Sequence, residues 1–188
     1  MGQGVDAAGL ARVRVDRPVG GETFQLDGTV LVLRRAMAQD RSAVAAMHGR
    51  CTAKSLHRRY LAGVLGDIDR VVAHLVPPPS GVAIGAFTPE GDCVALAHLV
   101  PMSDRDAVEL AALVQDDWQR YGLGLRLARL VLAVPERAGR AVFLLAEADN
   151  WPVLALARRL GYRAAPGVTN GFMDIEIAGA TLPAPGPA

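Results

Sequence analysis

The chain has 188 residues, of which 51% are hydrophobic, and its 20 Lys and Arg nearly balance its 19 Asp and Glu, giving a formal net charge of +1. This length suits one domain that buries roughly 70% of the surface of its unfolded chain. The composition excludes an intrinsically disordered chain, and the charge lacks the basic footprint of a nucleic-acid-binding protein.

The two cysteines, Cys51 and Cys93, are 42 positions apart and form no Cys-x-x-Cys pair. No apolar run reaches the 18 or so residues that suggest a membrane span, and the N-terminus shows no signal-peptide pattern. We expect free thiols in a reducing cytoplasm, with a disulfide or a catalytic nucleophile as the alternatives. No histidine cluster has metal-ligand spacing, so no metal is expected.

The first third of the chain predicts an arm, a strand and three helices. Residues 1–28 show scattered glycines and no sustained period, which predicts a flexible arm in which Val13 and Val15 could form a short strand. The apolar residues of 29–35 predict the first core strand. Helices are predicted at 40–47, capped by Asp40, at 52–60, and at 67–76, where Pro77 ends the helix.

The remainder alternates strands and helices. Strands are predicted at 82–87, 93–100, 106–114, 141–146 and 172–177, and helices at 122–134 and from Asp149-Asn150 to Gly161, followed by a Pro/Ala-rich tail at 179–188. This order predicts an α/β fold with a mixed, mostly antiparallel sheet flanked by helices. His98 lies alone in an apolar strand, so we expect a packed, hydrogen-bonded residue rather than a catalytic one.

Residues 109–124 combine a buried strand, a polar turn and a helix opened by Gly122 and Gly124. A helix start attracts anions, because its amides lack partners and carry partial positive charge. Two glycines leave those amides accessible, and Arg120 adds a full charge, so the geometry suits a pyrophosphate. The alternative is an ordinary strand–turn–helix, since the spacing matches neither common nucleotide motif.

The hexapeptide Gln119-Arg120-Tyr121-Gly122-Leu123-Gly124 matches the Gln/Arg-x-x-Gly-x-Gly/Ala signature of the GNAT superfamily of N-acetyltransferases, which use acetyl-coenzyme A (acetyl-CoA). Asn150, followed by Leu160-Gly161-Tyr162, resembles the Asn and Leu-Gly-Phe marker of the helix that flanks the coenzyme. The predicted order of elements is also similar over residues 29–178. The resemblance implies a GNAT acetyltransferase domain at 29–178 that takes acetyl-CoA as co-substrate.

By this resemblance, the pantetheine arm of acetyl-CoA pairs with the backbone of Ala112, Leu113 and Val114, like an added strand. The pyrophosphate is expected on the amides of residues 119–124, namely Gln119, Arg120, Tyr121, Gly122, Leu123 and Gly124. A backbone N–H near Leu113 or Val114 would polarise the thioester carbonyl.

Glu109 is the candidate general base. It is the one carboxylate inside the predicted central strand, and it precedes Gln119 by ten positions, where related lysine acetyltransferases often place their base. A lysine amine has a reference pKa near 10.4, so freeing it at pH 7 costs roughly 4 to 5 kcal/mol, which a nearby carboxylate offsets. The alternative is that Glu109 faces solvent or pairs with an arginine on a neighbouring strand.

Two features of the sequence bear on the acceptor and on the leaving thiolate. Ser55, Arg59 and Tyr60 match a Ser-x-x-x-Arg-Phe stretch of bacterial protein-lysine acetyltransferases, although a solvated helix face explains the same cluster. Ala157 stands where many members carry a tyrosine that protonates the leaving thiolate. We expect an acetyltransferase acting on a protein lysine; the alternatives are a small-molecule amine acetyltransferase and a non-catalytic acyl-CoA-binding module.

Overall fold

The computed structural model describes residues 20–26, 28–61, 66–133, 140–162 and 167–177. Within these residues the strands are β1 (Gly20–Leu26), β2 (Thr29–Arg35), β3 (Val82–Phe87), β4 (Cys93–Pro101), β5 (Ala107–Val114), β6 (Ala141–Glu147), β7 (Gly167–Thr169) and β8 (Phe172–Ile177). The helices are α1 (Arg41–Arg50), α2 (Ala53–Tyr60), α3 (Ile68–Leu75), α4 (Leu123–Leu132) and α5 (Trp151–Arg159). None of these helices is long and apolar enough to cross a membrane.

All the strands belong to one sheet, in the order β1-β2-β3-β4-β5-β6-β8-β7. Neighbouring strands are antiparallel except β5 and β6, which are parallel. The predicted α/β fold with a mixed, mostly antiparallel sheet is therefore confirmed.

The two faces of the sheet bury separate apolar clusters. One cluster, on the face that we call the α4 face, includes Leu110 of β5 and Leu127 of α4. The other, on the α1 face, includes Leu113 of β5 together with Val44 of α1 and Val72 of α3. Because side chains alternate along a strand, Glu109 lies on the α1 face with Leu113, opposite Leu110.

Local sequence signals located the helix ends well. Thr52 accepts a 3.3 Å hydrogen bond from the Ser55 amide and begins α2. Asp67 begins α3 by accepting from the amides of Asp69 and Arg70, at 3.0 and 3.3 Å. Gly161, with φ of 100°, has the left-handed conformation expected after a helix.

Two strands were not predicted. Strand β1 lies within the predicted N-terminal arm and pairs antiparallel with the edge of β2. Strand β7 pairs with β8, and the turn between them consists of Asn170 and Gly171, with φ of 53° and 82°. An Asn-Gly pair is a hairpin signal, so the sequence contained the information that predicts this turn. Val13, Val15, Val134 and residues 179–188 lie outside the described residues.

The prediction that Asp40 caps the first helix is wrong in its chemistry. Asp40 precedes α1, but its side chain accepts no bond from that helix. Its carboxylate accepts from the Met37 amide at 2.7 Å and from both terminal nitrogens of Arg34, at 2.7 and 2.8 Å. This ion pair joins the end of β2 to the start of α1, and the hydrogen bond from Arg34 holds the pKa of Asp40 below its usual value.

Candidate active site

Strands β5 and β6 part in the middle of the sheet. Their parallel pairing joins Ala107 to Ala141, Val108 to Val142 and Glu109 to Phe143, and it ends there although β5 continues to Val114 and β6 to Glu147. On its other side β5 stays paired with β4 up to Val114. Residues 110–114 therefore present one unpaired backbone edge, to which an extended ligand can add as a strand.

The predicted pantetheine residues lie on this edge. Ala112 and Val114 are half-buried against the α4 face, and Leu113 is buried on the α1 face. Their side chains are apolar and packed, so a ligand along the edge would meet backbone N–H and C=O groups. We call the space between residues 110–114 and residues 144–147 the cleft.

The predicted phosphate residues follow directly. A one-turn 3-10 helix, Asp116–Trp118, leads into α4, with Arg120 and Gly122 in left-handed conformations at φ of 70° and 87°. The backbone bond that closes the first turn of α4 runs from the Arg126 amide to the Gly122 carbonyl, at 3.0 Å. The amides just before Arg126 have no acceptor within the helix, so they are available to an anion.

The glycines of this turn serve different purposes. Gly122 has open space around it, and its positive φ is what favours glycine there. A Cβ on Gly124 would lie 3.5 Å from Cγ2 of Val114, so the start of α4 packs against the end of β5. The amides at the start of α4 thus lie beside the cleft.

The side chain of Gln119 has a structural role that the sequence did not reveal. Its Nε2 donates to the Val114 carbonyl at 2.9 Å and to Ser55 Oγ at 3.2 Å. Arg120 and Tyr121 are exposed. Asn150 is buried and precedes α5, beyond the end of β6.

Helix α2 spans the cleft on the α1 face. At one end, Asp116 accepts from the Thr52 amide and hydroxyl, both at 2.9 Å, and from the Ser55 hydroxyl at 2.8 Å. Further along the helix, His57 Nε2 lies 2.9 Å from Glu147 Oε1 at the end of β6. Burial alone would raise the pKa of Asp116, but the hydrogen bonds from Thr52 and Ser55 outweigh it and hold that pKa below its usual value.

The sequence did not predict these contacts of α2. Asp116 lies 64 positions from Thr52, and Glu147 lies 90 positions from His57. Asp116 resembled an ordinary turn residue, and Glu147 resembled the polar end of a strand. No local pattern distinguishes such residues from solvated ones.

Glu109 occupies the last paired register before the cleft opens. It is half-buried, opposite Val100 of β4 and beside Phe143 of β6. Among the described residues its carboxylate forms no salt bridge, so the alternative of an ion pair with a neighbouring strand is not observed. Its negative charge is near enough to Arg59 to favour the charged form of that guanidinium.

A polar cluster, formed by the buried His48 and His98 and the half-buried Arg59 and Tyr60, lies beside Glu109 on the α1 face. His48 Nδ1 lies 2.7 Å from the Val44 carbonyl, which only accepts, so Nδ1 carries the proton and Nε2 accepts from the Tyr60 hydroxyl at 2.6 Å. Arg59 Nη2 lies 3.4 Å from His98 Nδ1. We call these four residues the Arg59 cluster.

The imidazoles of the Arg59 cluster are neutral. Burial, with the charge of Arg59 as a second cause, lowers the pKa of His98 to about 3. Burial also lowers the pKa of His48, which the charge of Arg59 lowers further. His98 is 2% exposed, so it is the packed residue that the sequence predicted.

Both cysteines are free thiols, as predicted. Burial raises the pKa of Cys51 to about 11 and that of Cys93 to about 12. The thiolate is the nucleophilic form, so neither side chain is activated for nucleophilic catalysis at neutral pH.

Comparisons with known proteins agree with this geometry. Residues 93–170, from β4 to the turn before β8, match the family model of FR47-like proteins. A comparison with curated proteins gave no match.

Three solved structures illustrate the structural likeness. The GNAT domain of S. lividans PAT is 19% identical, with a TM-score of 0.71 over 82% of this chain and 94% of that one. The protein yncA from Salmonella typhimurium, solved with its cofactor acetyl-CoA, is 19% identical, with a TM-score of 0.63 over 82% and 97%. Ribosomal-protein-alanine N-acetyltransferase from Brucella melitensis is 21% identical, with a TM-score of 0.61 over 77% and 97%. At these identities the likeness establishes the fold.

Proposed function

We propose that the chain is an N-acetyltransferase of the GNAT superfamily, which its fold and the FR47-like match over residues 93–170 support. It transfers the acetyl group of acetyl-CoA to a primary amine, and protein lysine is the leading acceptor. The observation that carries the proposal is the parting of β5 from β6 at Glu109, next to the glycine-opened start of α4. The cleft and the anion-binding turn together suit a coenzyme with an extended arm and a pyrophosphate.

The coenzyme is proposed to bind through backbone groups. Its pantetheine arm pairs with residues 112–114, whose edge toward β6 has no strand partner in the described part of the chain. Its pyrophosphate accepts from the amides of residues 119–124, and the exposed Arg120 adds positive charge there. The neighbour yncA, which was solved with acetyl-CoA, supports this ligand.

Acetyl transfer then takes place where the strands part. A backbone N–H of Leu113 or Val114 stabilises the developing negative charge on the thioester oxygen. The acceptor amine attacks the carbonyl carbon from the α1 face and gives a proton to Glu109, so a C–N bond forms as the C–S bond breaks. Coenzyme A leaves as a thiolate.

The thiolate is proposed to take its proton from solvent. Ala157 is fully buried in the cluster of the α4 face and carries no acidic group. The pKa of the coenzyme thiol is about 8.5 by analogy with cysteine, so the thiolate can leave without a dedicated acid to protonate it.

A polypeptide acceptor is supported by the open α1 face of β6 and β8. Leu145 is 47% exposed and Phe172 is 39% exposed, and no described helix covers them. Both side chains share the face of Glu109, so an exposed apolar surface that suits a polypeptide lies on the same face as the proposed base. The matching positions of Ser55, Arg59 and Tyr60 point to the same class of acceptor.

The test is calorimetric titration of acetyl-CoA into the wild-type protein and into Gly124→Glu, which places a carboxylate in the proposed pyrophosphate site. We expect tight binding to the wild type and loss of binding in the variant. Gly49→Glu is the matched control, because Gly49 lies exposed in α1 with open space around it. Failure of the wild type to bind acetyl-CoA would overturn the proposal.

Transfer is measured separately, with labelled acetyl-CoA and either a lysine-containing protein or a free polyamine as acceptor. Label in lysine side chains supports the protein-lysine assignment. Label in the polyamine alone would move the protein to the small-molecule class, and binding without any transfer would indicate a non-catalytic module.

A further inference from the structure

Arg59 is a half-buried cation that forms no salt bridge among the described residues. Its Nε atom is inaccessible to solvent and has no hydrogen-bond partner among the described residues. Its Nη2 lies 3.4 Å from His98 Nδ1, at the outer limit of a hydrogen bond. Burial lowers the pKa of Arg59, so the charged form is disfavoured in this setting.

The groups around Arg59 do not neutralise it. His98 and His48 are neutral, and Tyr60 offers its ring, whose centroid lies 4.8 Å from the guanidinium carbon. A contact of this kind with an aromatic face contributes only about 0.5 to 2 kcal/mol. Among the described residues no carboxylate forms a salt bridge with Arg59. The negative charge of Glu109 is near enough to favour the charged form of Arg59.

Burying a guanidinium N–H costs free energy unless the group is paired. Side chains with strongly perturbed pKa values are concentrated at functional clefts. Arg59 lies on the α1 face, above β4 and beside the proposed base, which is the side from which the acceptor approaches. A planar guanidinium with free N–H groups fits a carboxylate, which can accept two parallel bonds.

We propose that Arg59 binds a carboxylate of the acceptor, so that the substrate is an amine with a carboxylate close to it; this inference rests on the proposed function. The carboxylate has two sources, either the α-carboxylate of a free amino acid or an Asp or Glu side chain beside the acceptor lysine of a polypeptide. Arg59 orients the acceptor so that its amine reaches Glu109, while the thioester lies in the cleft.

The test uses products, because their binding does not require turnover. Nα,Nε-diacetyl-lysine and its carboxamide differ only in the free carboxylate. Two blocked dipeptides, Asp-(Nε-acetyl-Lys) and Asn-(Nε-acetyl-Lys), differ only in the flanking side chain. Each is titrated into the full chain with and without coenzyme A, and binding is followed by NMR of the ligand.

The variants are Arg59→Met, which keeps the length of the side chain and removes its charge, and Arg58→Met as the matched control on the same helix. We expect the wild type and R58M to bind at least one carboxylate probe about 10- to 100-fold more tightly than its neutral partner. We expect R59M to lose that preference. A preference within the amino acid pair indicates a free amino acid, and one within the dipeptide pair indicates an acidic flanking residue.

The inference would be overturned if the wild type bound both members of each pair equally, or bound no probe at all. A preference for the carboxylate probe that survives in R59M would also overturn it. Coenzyme A binding is read in the same samples, so failure of the proposed function is distinguished from failure of the carboxylate site. Thermal unfolding checks that R59M folds. If it does not, Arg59→Lys keeps the charge without the planar fork, and an undiminished preference in R59K also refutes the assignment.

Discussion

The Ser55 hydroxyl donates a 2.8 Å hydrogen bond to Asp116, 61 positions further along the chain. Gln119 donates to the same Ser55 oxygen, so one network joins α2 to the turn that precedes α4. Helix α2 carries Arg59, and the turn carries the proposed pyrophosphate amides. The acceptor side and the coenzyme side of the proposed active site are therefore held together by a few polar side chains.

Replacing Asp116 by alanine should loosen α2. The change removes the acceptor of three hydrogen bonds, from the Thr52 amide, the Thr52 hydroxyl and the Ser55 hydroxyl. We expect faster hydrogen exchange throughout α2 and roughly a tenfold lower kcat/KM for the acceptor, equivalent to about 1.4 kcal/mol. Asp117→Ala, at an exposed neighbouring position, is the control. Unchanged exchange in α2 would show that the network does not hold the helix.

Replacing Glu109 by glutamine should remove the proposed base and preserve the shape of the site. We expect kcat to fall by about 100-fold or more, in the range typical of a lost general base, with little change in acetyl-CoA affinity. Glu176→Gln, at an exposed position of β8, should retain full activity. Acetyl transfer by E109Q at the wild-type rate would exclude the role assigned to Glu109.

The ion pair between Arg34 and Asp40 should make stability depend on pH in the acid range. The pKa of Asp40 is lower in the folded state than in the unfolded state, where it is about 3.9. The ionised carboxylate therefore stabilises the folded state above that unfolded pKa, and this stabilisation is lost as the pH falls toward the lower folded-state pKa. We expect Asp40→Asn to reduce the free energy of unfolding by about 1 to 2 kcal/mol at pH 7, since Arg34 is partly exposed. Urea denaturation between pH 2.5 and 7 should show this difference shrinking below about pH 4. A difference that stays constant across that range would contradict the prediction.

Gly81 and Gly91 form a matched pair for testing backbone packing, because both have φ of 95°. A Cβ on Gly81 would lie 2.0 Å from the Leu99 carbonyl oxygen, whereas one on Gly91 would meet nothing within 4 Å. We expect Gly91→Ala to cost about 1 to 2 kcal/mol from its left-handed backbone, and Gly81→Ala at least about 2 kcal/mol more from the clash. Equal losses in urea denaturation would show that β4 yields to the added methyl group.

The sequence predicted the starts of α2, α3 and α4 well, because neighbouring residues decide them. Thr52 and Asp67 begin their helices as local capping rules require, and Gly122 opens α4 because its φ favours glycine. The prediction failed for β1, in which only Phe24 and Leu26 alternate with polar residues and which pairs with the edge of β2. Asp40 was assigned a cap because its position before a helix favours one, whereas its carboxylate pairs with Arg34, six positions earlier.

By itself the sequence determined the mixed sheet and the order of the named strands and helices other than β1 and β7, and it predicted an anion-binding turn at residues 119–124, because hydrophobic period, capping and glycine placement act over a few residues. Only the tertiary structure decided that β5 parts from β6 at Glu109, that Asp116 accepts hydrogen bonds from α2, and that Arg59 Nε is buried with no hydrogen-bond partner among the described residues. Those features depend on contacts between residues dozens of positions apart, where burial and electrostatics arise from the packing of whole elements and no local pattern records the partner.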